Sequence, residues 1–458
     1  MKRVSIGGGQ GFWGDSPDAA IHMVRRSNIH YMACDYLAEL TLSIMARQKL
    51  KDPKTGYARD FLGLMNEIAG EAKEKGIRVL TNAGGMNIEG CVNEVKKIAE
   101  EKKLRNYKIG YVTGDDLTQS IDTLLKQGVS FTNMDGEVDG IHDFAQIKNK
   151  IVNANVYYGH EPTLKCLEEG ADVIITGRST DSALFLAPLI HELGWKNDDW
   201  NHLAQGIMAG HLLECGGQGA GGNFDYDWRS VPRMDELGFP IAEVADDSMI
   251  ITKAPDCGGL ISEQSCKEQF LYEVHDPANY ITPDVVVDIS KATISQEGDN
   301  RVRVANIAGK PRTNTLKLSI GYHAGYKVAT MLSFAWPEAY EKAKYASEII
   351  MKKMQKKNLR TQDIRIDYIG LNSLHLDVAD MDPARIKDLN EVVLRIAIRT
   401  DSKEEAMKLI PEISPLQLNG PPGASFFGGR ARIQEVIGLW PTLIPRDCVN
   451  LQAHIITL

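Results

Sequence analysis

Along the first half of the chain, short apolar runs alternate with amphipathic ones. Val4–Ile6, Ile29–Cys34, Arg78–Thr81, Lys108–Val112, Asn153–Tyr158 and Asp172–Thr176 are brief apolar runs bounded by glycine or polar turns, which predicts strands. Between them the apolar positions recur at helical spacing, as Leu37, Leu40, Ile44 and Met45 do within Tyr36–Gln48. Asp60–Lys75, Val92–Lys102, Leu117–Gln127, Thr163–Glu169 and Ser182–Leu193 read the same way. Ser16-Pro17-Asp18 opens a further helix, with serine as N-cap and proline at the first helical position. This alternation predicts the α/β class, with a three-layer, mostly parallel sheet covered by helices on both faces.

The pattern changes near residue 240. Val285–Ile289, Val302–Ile307, Lys317–Gly321 and Ala329–Phe334 are short alternating runs that predict antiparallel strands. A long helix over Trp336–Lys356, strands at Ile364–Ile369 and Val392–Arg399, and a helix at Lys403–Leu409 follow. The expected organisation is therefore an α/β domain over residues 1–240 and an α+β domain over residues 241–458.

Composition narrows the class. Hydrophobic residues are 43% and charged residues 25% of 458, values of an ordinary globular chain and not of a disordered one. The net charge of −9 excludes a general nucleic-acid binder, which needs a basic face. No run approaches the roughly 20 apolar residues of a membrane span. The seven cysteines form no C-x-x-C pair, which fits reduced thiols and a cytoplasmic protein.

The glycines are clustered, and the clusters fall where strands are expected to end. Gly7 to Gly14 contains Gly9, Gly11 and Gly14 in G-x-G-x-x-G spacing, with Gln10 inside, Asp15 after it and Asp35 closing the next strand. That is the layout of a dinucleotide fingerprint. Phe12 and Trp13 fill its free positions and the helix opens only after Gly14, so a plain glycine turn and a substrate-binding loop remain alternatives. Asn82, Gly84, Gly85 and Asn87 follow the strand at Arg78. Arg178, Ser179, Thr180 and Asp181 follow the strand at Asp172. Ligands of open α/β sheets bind at this carboxyl edge. Arg178 offers a planar clamp for a carboxylate or phosphate, or else an ion pair with Asp181.

Titratable groups gather in the same places. His160 follows a strand and suits a base at neutral pH, or a helix-starting turn. His211 and Glu214 share a helix face and form an acid/base candidate, ahead of Cys215, Gly216 and Gly217. H-x-x-E-C lacks the second histidine of a zinc motif, so no zinc site is assigned. Asp35 and Glu39 are spaced to hold a divalent cation or to form a solvated face. Asn419 to Arg430, with two prolines, two phenylalanines and paired glycines, reads as a contact loop or lid. Walker, zincin and nucleophile-elbow motifs are absent.

Together, Gly-Gln-Gly-Phe-Trp-Gly-Asp-Ser-Pro at 9–17, Cys-Asp-Tyr-Leu-Ala-Glu-Leu-Thr at 34–41 and Thr-Asn-Ala-Gly-Gly at 81–85 resemble the acyclic terpene utilisation (AtuA) family. Thr-Gly-Arg-Ser-Thr-Asp-Ser at 176–182, Glu-Cys-Gly-Gly-Gln at 214–218 and Leu-Asn-Gly-Pro-Pro-Gly-Ala at 418–424 extend the resemblance along most of the chain. It implies a catabolic role on branched organic acids or their CoA thioesters. Longer relatives carry a small ferredoxin-like module, so it also implies a small accessory protein as partner.

The resulting expectation is a cytoplasmic homo-oligomeric lyase, a hydro-lyase or C–C lyase working through an enolate, without a redox cofactor and with a divalent cation as an open option. His160, Asp181, Glu214 and Asn82 would perform the chemistry. Gly9, Gln10, Gly11, Asp15, Gly84, Gly85, Asn87, Arg178, Ser179, Thr180, Gly216 and Gly217 would hold the substrate. The alternatives are an NAD-linked oxidoreductase built on Gly9, Gly11 and Gly14, and a subunit active only with its small partner.

Overall fold

A computed structural model describes residues 2–138, 140–429 and 431–458. The chain divides into two compact units, Met1–Gly321 with Leu439–Leu458, and Tyr322–Gly438. Strand and helix alternate through the first unit. Its elements are β1 (Val4–Gln10), α1 (Asp18–Arg26), β2 (Tyr31–Cys34), α2 (Glu39–Lys51), α3 (Asp60–Lys75), β3 (Arg78–Thr81), α4 (Ile88–Glu101) and β4 (Lys108–Thr113). There follow α5 (Ile121–Lys126), β5 (Ile151–Val156), α6 (Glu161–Glu168), β6 (Val173–Ile175), α7 (Ala183–Leu193), α8 (Trp200–Leu213), β7 (Pro240–Val244), β8 (Ser248–Lys253) and α9 (Glu263–Leu271).

The main sheet has ten strands and is mixed. Its centre is parallel, with β1, β2, β3, β6 and β4 side by side. On one side β7 pairs antiparallel with β1, then β8, Arg301–Ala305 and Thr293–Gly298 follow. On the other side the final strand Gln452–Thr457 pairs antiparallel with β4. The sheet is thus not mostly parallel.

Alternate residues of each central strand enter different cores, as the period-two geometry of a strand requires. Tyr31, Ala33, Leu80 and Ile174 pack with residues of α6, α7, α8 and α9. Met32, Cys34, Val79, Val173 and Ile175 pack with residues of α1, α3 and α4. Being apolar on both faces is why these runs read as nearly unbroken hydrophobic stretches. Helix ends follow local chemistry. The hydroxyl of Ser16 accepts from the Asp18 N–H at 3.3 Å, Asn87 caps α4 through the Gly90 N–H, and α3 and α7 stop at left-handed Gly76 and Gly194.

No domain boundary falls at residue 240. Ala242, Val244, Met249, Ile251, Val302 and Val304 share one core with Val4 and Ile6, so the antiparallel strands lengthen the first sheet instead of founding a second domain. The second unit begins later. Within it Asp363–Ile369, Glu391–Thr400, the end of Thr315–Ala335 and Ala424–Phe426 form an antiparallel sheet. Helix α10 (Ala339–Lys356) packs Ala343, Ala346 and Ile350 against Val328, Leu332, Ile396 and Ile398. The expected runs Lys317–Gly321 and Ala329–Phe334 are one strand, Thr315–Ala335. Among the described residues no helix is long and apolar enough to cross a membrane.

Ile174 is 1% exposed on β6, the strand between β3 and β4. Replacing it with Ala should lower the unfolding free energy by roughly 2–5 kcal/mol, read from the urea midpoint of the first transition.

Candidate functional site

Because β1, β2, β3 and β6 run parallel, their carboxyl ends deliver Gln10, Asp35, Asn82 and Arg178 to one edge. The end of α8 joins them. A Cβ on Gly11 would lie 2.6 Å from the Cys215 carbonyl carbon, so only glycine lets the turn after β1 reach the main chain at 215–216. Gly216 answers with φ +58, a left-handed conformation that glycine adopts freely.

The result is a buried cluster of charge. One carboxylate oxygen each from Asp35, Asp181 and Glu214 lies within 4.8 Å of the others. Asp35 and Glu214 are buried, while the Asp181 side chain keeps 34% of its surface. Arg178 Nη1 stands 2.8 Å from Asp181 Oδ1, donates to the Leu37 carbonyl at 3.1 Å, and its guanidinium lies 4.2 Å over the Tyr157 ring. Asp35 accepts at Oδ1 from the Leu37 N–H and from the Asn82 amide, whose own Oδ1 accepts from the Tyr36 N–H. The Cys215 thiol donates to Glu214 Oε1 at 3.1 Å. His211 Nδ1 is 3.9 Å from that same oxygen, beyond hydrogen-bond reach.

Electrostatics follow from this burial. Removal from water, then the charge of Asp181, pushes the Asp35 carboxyl up to about 8. Burial, then the neighbouring aspartates, raises Glu214 well above the usual range. Burial holds the His211 imidazole down to about 4. Burial thus favours the neutral acid at Glu214 and the neutral ring at His211, and their proximity is not an ion pair. Three acids sharing one site cannot all ionise unaided. Their oxygens are also close enough for one divalent cation to bridge them.

Behind the cluster runs a buried polar chain. Asp115 Oδ2 accepts from the Arg178 N–H at 2.8 Å and from the Asn155 amide at 3.1 Å. Asn153 Nδ2 donates to Asn155, and Ser43 donates to Asn153. Burial first, partly offset by those donors, raises Asp115 to about 6.

In front lies an open cleft of ≈ 830 Å³. Gly11, Asp15, Cys215 and Gly217 line it, but Asp35, Asp181 and Glu214 do not reach its wall. Cys215 is the link between cleft and cluster. Asp15, Asp18, Asp235, Glu236 and Asp256 make the lining acidic, against His22 alone as a basic group.

The family model for the acyclic terpene utilisation family protein AtuA matches residues 4–455. The chain belongs to this family. Neither a curated protein nor a solved structure gives a match.

In this AtuA chain the sequence-derived residues separate into groups. Asp35, Asn82, Arg178, Asp181 and Glu214 come together. Asn82 donates one amide N–H to Asp35 and accepts from the Tyr36 N–H, so it positions Asp35. Arg178 is buried against Asp181, not open as a substrate clamp. His160 is elsewhere: its Nδ1 sits 2.7 Å from Asp284 Oδ1, a buried pair among the described residues outside the cluster. Glu39 pairs with Lys317 at 3.0 Å, and although burial opposes it, that ammonium holds Glu39 down to about 2. The acid neighbouring Asp35 is thus Glu214, not Glu39.

The remaining turn residues make contacts within the protein. Ser179 meets Thr176 at 3.2 Å, and Thr180 donates its N–H to the Tyr158 carbonyl at 2.9 Å. Asn87 caps α4 and ties down the carbonyls of Pro53 and Thr55. Gly9 faces Cys34 and Met32, Gly84 the Thr176 carbonyl, and Gly85 the Met45 side chain. Gln10 Nε2 donates to the Ser16 carbonyl at 3.0 Å. Within the G-x-G-x-x-G spacing, a Cβ on Gly11 would meet the main chain of Cys215 and Gly216. Asp115 was the residue the sequence reading missed. Its signal, Gly114-Asp115-Asp116 directly after β4, is the same strand-end pattern as the other turns.

Two outcomes follow from this geometry. Gly11→Ala should lower stability by roughly 1–3 kcal/mol because backbone, not a side chain, must move, whereas Gly63→Ala on α3, with nothing within 4 Å, should be neutral or stabilising by up to ~1 kcal/mol. Asp115 holds its proton to a higher pH folded than unfolded, so its contribution is full below about pH 4 and is lost as pH rises towards 6. Asp115→Asn should therefore gain stability on the native chain across that window, by at most roughly 1.4 kcal/mol per pH unit, and the gap should stay flat above it in calorimetric scans.

Proposed function

We propose that this AtuA-family chain is a lyase that eliminates water, or cleaves a carbon–carbon bond, next to the carboxyl or thioester group of a branched organic acid. The observation that carries this reading is the convergence of Asp35, Asp181 and Glu214 at the sheet edge. Carboxyl groups in unlike environments divide acid and base roles between them. In this reading Asp181, ion-paired with Arg178 and the most exposed of the three, acts as the base. Glu214, whose neutral form burial favours and which neighbours the cleft-lining Cys215, acts as the acid.

In the dehydration, the Asp181 carboxylate takes the proton from the carbon α to the carbonyl. The electron pair forms the new double bond, and the β-hydroxyl leaves as water with a proton from Glu214. Asp181 ends protonated and Glu214 ionised, and exchange with water resets both. Asp35, held by Asn82, keeps its proton and donates towards the substrate oxygen where enolate charge develops.

The test is deuterium exchange and dehydration of a panel of branched hydroxy acids and acyl thioesters in D2O, followed by mass spectrometry. Asp181→Asn and Glu214→Gln should each lower turnover at least ~100-fold while the circular dichroism spectrum stays native. Full activity in both variants overturns the reading. A substrate turned over only with added NAD overturns it in favour of an oxidoreductase.

A further inference from the structure

The second unit carries a pocket whose charge is opposite to that of the first cleft. A cleft of ≈ 350 Å³ lies entirely within Tyr322–Gly438, on the strands Thr315–Ala335 and Glu391–Thr400 and beside residues 427–429, 431, 432 and 434. Its floor is small. Ala329 and Ala397 are register partners, and their strand neighbours Val328, Ile396 and Ile398 face the core on the other side of the sheet. Lys327, Arg395 and Arg432 line it, and no aspartate or glutamate does among the described residues.

The three cations are not equally engaged. Arg395 is ion-paired with Asp367, which Arg365 also contacts. The side chains of Lys327 and Arg432 are exposed and have no hydrogen bond or ion pair among the described residues. Lys327 and Arg432 therefore bring unpaired positive charge to one concavity in a chain of net charge −9. Against that negative background the local positive charge marks an anion site.

The adjoining segment adds two features. Phe427 is 53% exposed and lines the pocket, so its ring is available to stack on a flat ligand. Gly428, with φ +78, and Gly429 leave their main chain open to close approach. Arg430, which follows them, lies outside the described residues. Phe-Phe-Gly-Gly is the part of the proline- and glycine-rich segment that the carboxylate site leaves unused.

We infer that this pocket binds a nucleotide, with its phosphates between Lys327 and Arg432 and its base against Phe427. The inference does not rest on the lyase reading. The same chemistry is offered by a free nucleotide and by the adenosine-phosphate end of a CoA thioester, and the two are separated below.

Titration calorimetry on the whole chain tests it, with pyrophosphate, adenosine, ATP and CoA as probes at low and high salt. ATP, CoA or both should bind, each more weakly at high salt, and adenosine should not. Binding of CoA without ATP assigns the carrier, and of ATP without CoA the free nucleotide. Lys327→Glu with Arg432→Glu should weaken binding at least ~100-fold, roughly 10-fold for each lost charged contact. Phe427→Ala should weaken ATP or CoA but not pyrophosphate. All three positions are exposed, so the variants keep their fold, and Asp181→Asn should bind as the native chain does. Failure of both ATP and CoA to bind, binding that survives the double reversal, or pyrophosphate binding as tightly as the nucleotides overturns the proposal. None of these results bears on the activity assigned to Asp181 and Glu214.

Discussion

Charge buried at the end of a sheet is the constraint on which this structure turns. A lone ionised carboxylate removed from water costs several kcal/mol, and three of them together cost more. The chain meets this in three ways. Asp181 takes the Arg178 guanidinium, Asp35 takes two N–H donors and Glu214 a thiol donor, and the excess negative charge is removed by keeping protons on Asp35 and Glu214. Arg178 in turn needs its own counterparts, and finds them in the Leu37 carbonyl, the Tyr157 ring and, through its main chain, Asp115. Each satisfied group fixes the next, so the arrangement is held by hydrogen bonds from several separate segments.

Close packing makes that arrangement possible. The turn after β1 and the end of α8 meet at main-chain distance because Gly11 and Gly216 present no side chain. Within the G-x-G-x-x-G spacing, Gly11 packs against the end of α8 and Gly9 against Cys34 and Met32. The pocket inferred to take a nucleotide lies on a different sheet, around Lys327 and Arg432.

Much of the first unit was legible in the sequence because its central strands are apolar on both faces and its helices on one. Asp60–Lys75 and Arg78–Thr81 fall where the pattern puts them. The sheet's true width was not legible. Nothing local distinguishes β7 as the partner of β1, or β8 as the partner of β7, from strands of a new domain, since antiparallel pairing between segments so far apart in sequence leaves no mark on either. In the site, Asp181 and Glu214 were recognisable as acids at strand and helix ends. The replacement of Glu39 by Glu214 beside Asp35 was not, because Glu39 finds Lys317 from a distant strand. His160 misled for the same reason: its partner Asp284 lies over a hundred residues away.

The order of the strands has a consequence for how the protein is made. The chain leaves the first unit after Gly321 and re-enters it at Leu439, and β4 acquires its outer neighbour only with Gln452–Thr457. At about 5–20 residues per second, a ribosome delivers that neighbour on the order of 20–70 s after β4 itself. Until then one margin of a hydrophobic sheet stands open, the kind of surface that nascent chains present to chaperones and to each other. Gln452–Thr457, made long after β4, therefore closes this margin of the first unit against aggregation.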